Sequence, residues 1–429
     1  MNIPLKIKKI LISLSPKYFI NLYVLYKIKR FQAHYPKVIS EIKNKDKIKV
    51  AFFIIHSSVW KYDGLFQLML EDDKFDPIVV ICPYIVYGQE IMLRELKLSE
   101  NFISSKGHPY VMTLNFETDE WLDVKQKIKP DIIFFTNPHK LTKDEYYIHN
   151  FVGTLTCYVP YGFLLANIQQ AQFNQLFHNL CWKIFCETPI HVELAQKYAR
   201  NKGCNVIFTG FPLLDELIDT IPQNDPWKKQ DKVKKKIIWA PHHTIENNER
   251  ELAYSCFFLL FDLMFVIAKK YSDKIQIAFK PHPILKSKLY KHPAWGKNLT
   301  DKYYQEWKNL SNGQLEENDY IDLFLTSDAM ILDSISFMAE YMTTKKPSLF
   351  TVRDDTIRLK FNEFGQICYE LFYKTTIIEE DIVSFIENVV ILKKDTMKDE
   401  RMRFIQKYLM PPHNKSASEN IYNYIKNII

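Results

Sequence analysis

The sequence predicts an α/β protein of two Rossmann-like, doubly wound domains facing one another across a cleft. Three observations predict it. The chain has 429 residues, against roughly 100–200 for one domain, so two domains fit its length. After residue 47, short apolar runs alternate with longer amphipathic stretches, the pattern of parallel strands joined by crossover helices. That alternation stops over residues 222–236 (PQNDPWKKQDKVKKK), where two prolines and a lysine run leave almost nothing to bury, and then begins again. The expected organisation is a basic N-terminal segment (1–47), a first domain (48–222), a linker (223–236), a second domain (237–405) and C-terminal helices (406–429) that fold back on the first domain.

In the first half the strands fall at 49–55 (KVAFFII), 77–82, 110–114, 131–136 (DIIFFT), 154–159, 182–186 and 205–209. Between them, 64–71, 89–96, 120–128 and 191–202 space apolar residues by three and four, which predicts helices. The second half opens with a strand at 236–240 (KIIWA). A long apolar helix at 253–271 is too short to span a bilayer and carries Asp262 in its middle, so it packs on a sheet. A strand at 274–279 follows, then a polar segment to about 317, a helix near 320–325, a strand at 329–332, a helix at 334–342 and a strand at 347–352.

Composition narrows the function. Hydrophobic residues at 47% and charged ones at 25% exclude wholesale disorder. With 10 glycines and neither a Walker A nor a GxGxxG pattern, no glycine-rich phosphate loop exists, which points away from NAD enzymes. The 57 Lys and Arg against 50 Asp and Glu give +7, short of a dedicated nucleic-acid binder, so no nucleic-acid partner is expected. Seven scattered cysteines without a CxxC pair argue against a disulfide framework or zinc cluster and for reduced thiols in a cytosolic protein. No metal and no cofactor are expected. The first thirty residues carry Lys6, Lys8, Lys9, Lys17, Lys27, Lys29 and Arg30 among Ile, Leu, Tyr and Phe, with no acidic residue before Glu41. This suits a helix lying in the membrane interface, or one packed on the protein's own surface.

Three segments place polar residues directly after strands of the second half, where α/β ligand sites form. The first is Trp239-Ala240-Pro241-His242-His243-Thr244; adjacent histidines after a strand are expected to point apart, so one of them meets a phosphate or a base. The second is Phe279-Lys280-Pro281-His282-Pro283, where two prolines fix the backbone around one imidazole and a lysine stands two residues earlier, a fit for pyrophosphate. The third is Leu332-Asp333-Ser334-Ile335-Ser336, a strand end running into a helix whose start offers backbone N–H groups and the positive dipole end to an anion. Read singly, each is also an ordinary turn or cap.

In this order and spacing the segments resemble the CDP-glycerol glycerophosphotransferase family, the teichoic-acid-type polymerases and primases. IIWAPHH, FKPHP and ILDSIS correspond to the family's strand-Ala-Pro, "HP" and "D-x-S" helix-start segments, KPSLF follows after one helix, and Gly210-Phe211-Pro212-Leu213-Leu214-Asp215 resembles its G-x-P-x-x-D step. The likeness covers roughly residues 150–350. It implies a GT-B-like fold, a CDP-activated polyol phosphate as donor, a hydroxyl of a membrane-associated or lipid-linked glycan as acceptor, release of CMP, and a place at the inner face of the cytoplasmic membrane. It also implies that His282 holds the donor phosphates, with Lys280, His243, Asp333, Ser334 and Ser336 around them. In one respect the chain departs. The family carries His-Gly-Thr-Pro in its first domain, with the histidine as general base; here that place reads Tyr158-Val159-Pro160-Tyr161-Gly162-Phe163. Tyr161, Gly162 and Gly210 are expected to line the cleft. His56, directly after the first strand, is the leading substitute base, with His242 second and Asp63 third. Asp354-Asp355 reads as a turn rather than a metal-binding acidic pair. A GT-B glycosyltransferase using a nucleotide sugar is the main alternative, a nucleotide-sugar epimerase and a non-catalytic scaffold being weaker ones.

Overall fold

In a computed structural model, residues 16–246, 253–317 and 320–429 are described, with side chains from residue 22 onward. Lys6, Lys8 and Lys9, and the rest of the N-terminal segment before Pro16, lie outside the described residues. The chain forms two compact units. One runs to Tyr161 and adds Gln169–Gly210 and Pro412–Ile429; the other holds Gly162–Ile168 and Phe211–Pro411.

The first unit is built on seven parallel strands: β1 (Ile48–Ile54), β2 (Phe75–Ile81), β3 (Tyr110–Met112), β4 (Ile132–Phe135), β5 (Leu155–Tyr158), β6 (Lys183–Cys186) and β7 (Val206–Phe208). They lie in the order β3-β2-β1-β4-β5-β6-β7. Strands covered on both faces read as continuous apolar runs, and β4 (IIFF) is buried at every position. Phe52 of β1 stacks on Phe134 of β4 with ring centroids 4.9 Å apart. The order reverses direction between β1 and β4, so the carboxyl ends of those two strands flank the switch point where such sheets bind ligands.

The second unit repeats the plan with β8 (Lys235–Ala240), β9 (Ile275–Phe279), β10 (Gly313–Leu315), β11 (Ala329–Leu332), β12 (Ser348–Thr351) and β13 (Tyr373–Thr375), in the order β10-β9-β8-β11-β12-β13. Its switch point lies between β8 and β11. The helix Phe257–Lys270 buries Phe257, Leu260, Met264, Ile267 and Ala268 in the same core as β8 and β9.

Some elements differ from the sequence expectation. The helix expected at 120–128 shrinks to Val124–Lys127, capped by the Asp123 carboxylate, because Trp121 pairs with Leu114 in an antiparallel bridge. The polar segment before residue 317 contains the helices Leu285–Lys291 and Gly296–Asn309, the second burying Tyr303, Tyr304 and Trp307. Segment 223–236 is not a solvated tether: Trp227 is buried and its indole N–H donates to Thr326, the Gln223 and Asn224 N–H groups donate to Asp322, and Lys235 and Lys236 pair with Asp328 and Asp225.

The helix Pro16–Lys43 packs through Ile28, Phe31, Tyr35, Val38 and Ile42, and the Tyr35 hydroxyl bonds Thr156 at 3.0 Å. Upstream, Leu22, Tyr23, Leu25 and Tyr26 are exposed. At the other end of the chain, the helix Ala417–Ile428 has a capping box of Ser416 and Glu419 and packs on the helix Asp63–Leu70. Gly64 permits this approach, since a Cβ there would stand 2.8 Å from Ser418 Oγ. Gly210 ends the β7 connection at φ +86, a conformation open to glycine.

Candidate active site

Three loops meet at the carboxyl end of the second sheet because β8 pairs with both β9 and β11. The loop after β8 carries His242 and His243, the loop after β9 carries Lys280 and His282, and Asp333 directly follows β11. The His282 N–H donates to the Pro241 carbonyl at 3.1 Å, and Lys280 N–H to the Trp239 carbonyl at 2.8 Å. Asp333, almost fully buried, accepts from the backbone N–H groups of His242 and Cys256, one per carboxylate oxygen. The expectation that Asp333 meets phosphate is therefore revised: its lone pairs hold the loop that presents the histidines. Burial pushes its pKa up to about 7, against the pull of those backbone bonds.

The expectation that His242 and His243 point apart is also corrected. Their ring centroids lie 4.3 Å apart, and His282 lies 4.3 Å from His243 and 5.1 Å from His242. One nitrogen from each of the three falls within 4.8 Å of the others. Tautomers decide what this cluster binds. His242 Nδ1 meets the Thr244 hydroxyl at 2.8 Å and the Thr244 N–H at 3.4 Å, and that hydroxyl already accepts from Tyr254 N–H. His282 Nδ1 accepts from Ile284 N–H at 3.2 Å. With Nδ1 accepting, a neutral imidazole keeps its proton on Nε2 and presents a donor, whereas a metal ion needs a lone pair there. Both rings favour the neutral form: burial, then His243, Lys288 and Lys280, hold His282 down at about 3, and burial holds His242 well below its usual range. Two neutral N–H donors beside lysines fit an anion better than a cation. Lys280 is itself buried, and Arg353 donates to the Thr244 carbonyl at 3.0 Å.

Ser334 is buried and Ser336 half-buried at the start of the helix Ser336–Met342. Its N-cap is Ile335 and no side chain caps it, so the alternative of an ordinary hydroxyl cap does not apply. Arg358 is paired with Glu370 at 2.9 Å.

In the first unit, His56 follows β1. Its Nδ1 lies 2.8 Å from Ser58 Oγ, its ring leans on Tyr84, and burial together with Lys61 lowers its pKa to about 4. It is a neutral but weak base. His242 is buried under Tyr254, which makes it a loop-setting group rather than a proton acceptor. Asp63 already accepts from Trp60 and His108, at 2.8 and 2.7 Å, and from Lys106. Tyr161 is exposed and Gly162 half-buried. Sequence reasoning missed His139, which stands across the switch point from His56 in the loop after β4 and touches Tyr161 ring to ring at 5.7 Å. Its signal was present: Asn137-Pro138-His139-Lys140 directly follows the strand DIIFFT.

Comparison with known proteins places this arrangement. A teichoic acid ribitol-phosphate polymerase of Staphylococcus aureus, TarL, is 27% identical over 260 residues, which is 58% of this chain and 42% of the relative. The chain thus spans less than half the length of that relative. Among solved structures, the wall teichoic acid polymerase TagF covers 95% of this chain and 98% of its own at TM-score 0.54 and 17% identity. The S. aureus protein MnaA solved with UDP covers 89% and 98% at TM-score 0.56 and 16% identity. A UDP-GlcNAc 2-epimerase of Methanocaldococcus jannaschii covers 89% and 99% at TM-score 0.52 and 15%. At such identities these structures speak for the shared two-Rossmann, GT-B-like fold, which epimerases and polymerases both use. The family described as CDP-Glycerol:Poly(glycerophosphate) glycerophosphotransferase matches residues 187–427, more than half of the chain and all three loops of the histidine cluster. The chain belongs to that glycerophosphotransferase family.

Proposed function

We propose that the protein transfers a polyol phosphate, glycerol phosphate or a close relative, from a CDP-activated donor to a hydroxyl of a teichoic-type or other surface glycan polymer, releasing CMP. The observation that carries this reading is the cluster at the β8–β11 switch point: Nε2–H donors of His242 and His282, with His243, beside buried Lys280. His282 and Lys280 hold the donor diphosphate, His243 adds a contact, and Ser334 and Ser336 close the far side. Asp333 positions the His242 loop. The acceptor oxygen attacks the phosphorus, the bond from phosphorus to the CMP oxygen breaks, and CMP leaves as a phosphate monoester. Negative charge moves between oxygens at the phosphorus, so fixed donors aimed at the phosphate carry much of the catalysis, and a base takes the proton of the attacking hydroxyl. His56, neutral across the physiological range, is the group assigned to take that proton.

The same reading has the protein working at the inner face of the cytoplasmic membrane. The exposed Leu22, Tyr23, Leu25 and Tyr26 beside Lys27, Lys29 and Arg30 support it, as a surface suited to anionic lipid headgroups. No helix among the described residues is long and apolar enough to cross a membrane. Replacing the four exposed apolar residues by Ser should release the protein from phosphatidylglycerol vesicles, and unchanged sedimentation would end the docking assignment.

Donor chemistry is tested by supplying CDP-glycerol, CDP-ribitol and UDP-GlcNAc in parallel with oligo(glycerol phosphate) and following CMP or UDP release. CMP release is the expected result. UDP release alone would transfer the protein to the nucleotide-sugar glycosyltransferases, the reading kept open by Tyr161 standing where the family has histidine.

A further inference from the structure

The loop after β4 is fixed more firmly than a connecting loop requires. Asn137 Oδ1 accepts from the His139 N–H at 2.8 Å, the Tyr147 hydroxyl donates to the Pro138 carbonyl at 2.9 Å, and the Leu141 carbonyl accepts from Ile85 N–H at 3.0 Å. The imidazole is oriented as well. Gln175 Nε2 donates to His139 Nδ1 at 2.9 Å, and because the same nitrogen also donates to the Ala171 carbonyl at 2.6 Å, the amide cannot turn its oxygen to the ring without losing that bond. His139 Nδ1 is thus an acceptor, and its proton sits on Nε2. The ring is half-buried, in T-shaped contact with exposed Tyr161, in the loop after β4, whose neighbour across the switch point is the loop after β1 that carries His56. A donor held rigidly by surrounding hydrogen bonds, at the place where parallel sheets take their ligands, is built to hold an oxygen.

We propose that His139 is a substrate-holding residue whose Nε2–H donates to an oxygen of the acceptor's terminal polyol phosphate unit. This rests on the reading of the protein as a phosphopolyol transferase. It assigns the histidine beside Tyr161 to hydrogen-bond donation and leaves the proton of the attacking hydroxyl to another group.

The test uses the full chain and synthetic tri(glycerol phosphate) as the probe. His139→Gln keeps an N–H near the position of Nε2, whereas His139→Ala removes it. His139→Ala should weaken probe binding and raise the acceptor KM by about ten- to a hundredfold, the worth of one hydrogen bond to a charged or polar oxygen. The donor KM should stay put, and His139→Gln should recover most of the loss. At a pH where the ring is neutral, Gln175→Glu reverses the tautomer, because Nδ1–H then donates to the carboxylate and a lone pair is left at Nε2; there it should lose as much as His139→Ala although His139 is still present. Nitrogen-15 NMR of labelled histidine reads the tautomer without turnover: Nε2–H in the wild type and Nδ1–H in Gln175→Glu. Equal loss in His139→Gln and His139→Ala, full activity in Gln175→Glu, an Nδ1–H tautomer in the wild type, or wild-type binding of the probe no tighter than that of His139→Ala would each overturn the proposal. Absence of CMP release from the wild type would instead refute the transferase reading, and the binding and NMR arms would still decide the role of His139.

Discussion

Acidification should unfold this protein through histidines that are buried neutral, and His178 allows the magnitude to be worked out. It lies in the helix Leu176–Leu180, nearly inaccessible, among Phe177, Tyr158 and His139, and neither ring nitrogen has a hydrogen-bond partner among the described residues. Burial, then the neighbouring His139, lowers its pKa to about 3, against 6.5 in an unfolded chain. The folded value is depressed, so the native state suffers nothing from this residue above pH 6.5 and loses stability as pH falls toward 3, where the unfolded chain takes up a proton that the folded one refuses. Between pH 6.5 and 5.0 that is 1.5 units at about 1.4 kcal/mol each, or about 2 kcal/mol. His178→Phe removes the titration and keeps an aromatic ring in place. Urea unfolding followed by tryptophan fluorescence at pH 7.5 and 5.0 should show a stability loss smaller by about 2 kcal/mol in the variant than in the wild type. Comparing each protein with itself across pH cancels any packing change that the substitution introduces. Parallel losses in the two proteins would refute the claim that His178 stays neutral in the fold.

The remaining predictions concern the site and the packing that supports it. His282→Ala should lower CMP release by about a hundredfold or more, as removal of one preorganised donor does elsewhere, with circular dichroism unchanged; wild-type turnover would remove it from the donor site. If His56 is the proton acceptor, its low pKa keeps it unprotonated well into acid, so the acid limb of kcat should lie near pH 4–5 rather than 6.5 wherever the protein remains folded, and His56→Ala should abolish that limb. Gly64→Ala should cost about 1–3 kcal/mol by pushing the new Cβ onto Ser418, visible as a drop in Tm, while Gly107→Ala, where nothing stands within 4 Å of the added carbon, should lose only what its positive φ demands.

Much of the fold was legible because strands buried on both faces read as unbroken apolar runs. VAFFII, DIIFFT and IIWA needed no context. What escaped were elements without such a run: β10 (GQL) and β13 (YKT) are three residues each, and their place at the sheet edges comes from neighbours far along the chain. The helix Gly296–Asn309 was hidden by polar composition although Thr300, Tyr303, Tyr304 and Trp307 repeat at helical spacing. Within the site, the loop identities were readable and their geometry was not. That His242 and His243 lie on one side follows from the grip of Asp333 on His242 N–H, a contact across ninety-one positions. His139 carries no mark in the sequence beyond following a strand; only the pairing of β4 with β5 brings the loop after one strand beside Tyr161 after the other.

The first unit is completed by the last stretch of the chain. Ile421 and Ile425 are fully buried in a helix that leans on Asp63–Leu70, yet residues 211–411 of the second unit are synthesised before that helix exists. At elongation rates of about 5–20 residues per second, roughly 10–40 s pass before the helix that packs on Asp63–Leu70 has been made. Over that interval the first unit lacks its closing helix, while the main segment of the second unit, Phe211–Pro411, is already continuous.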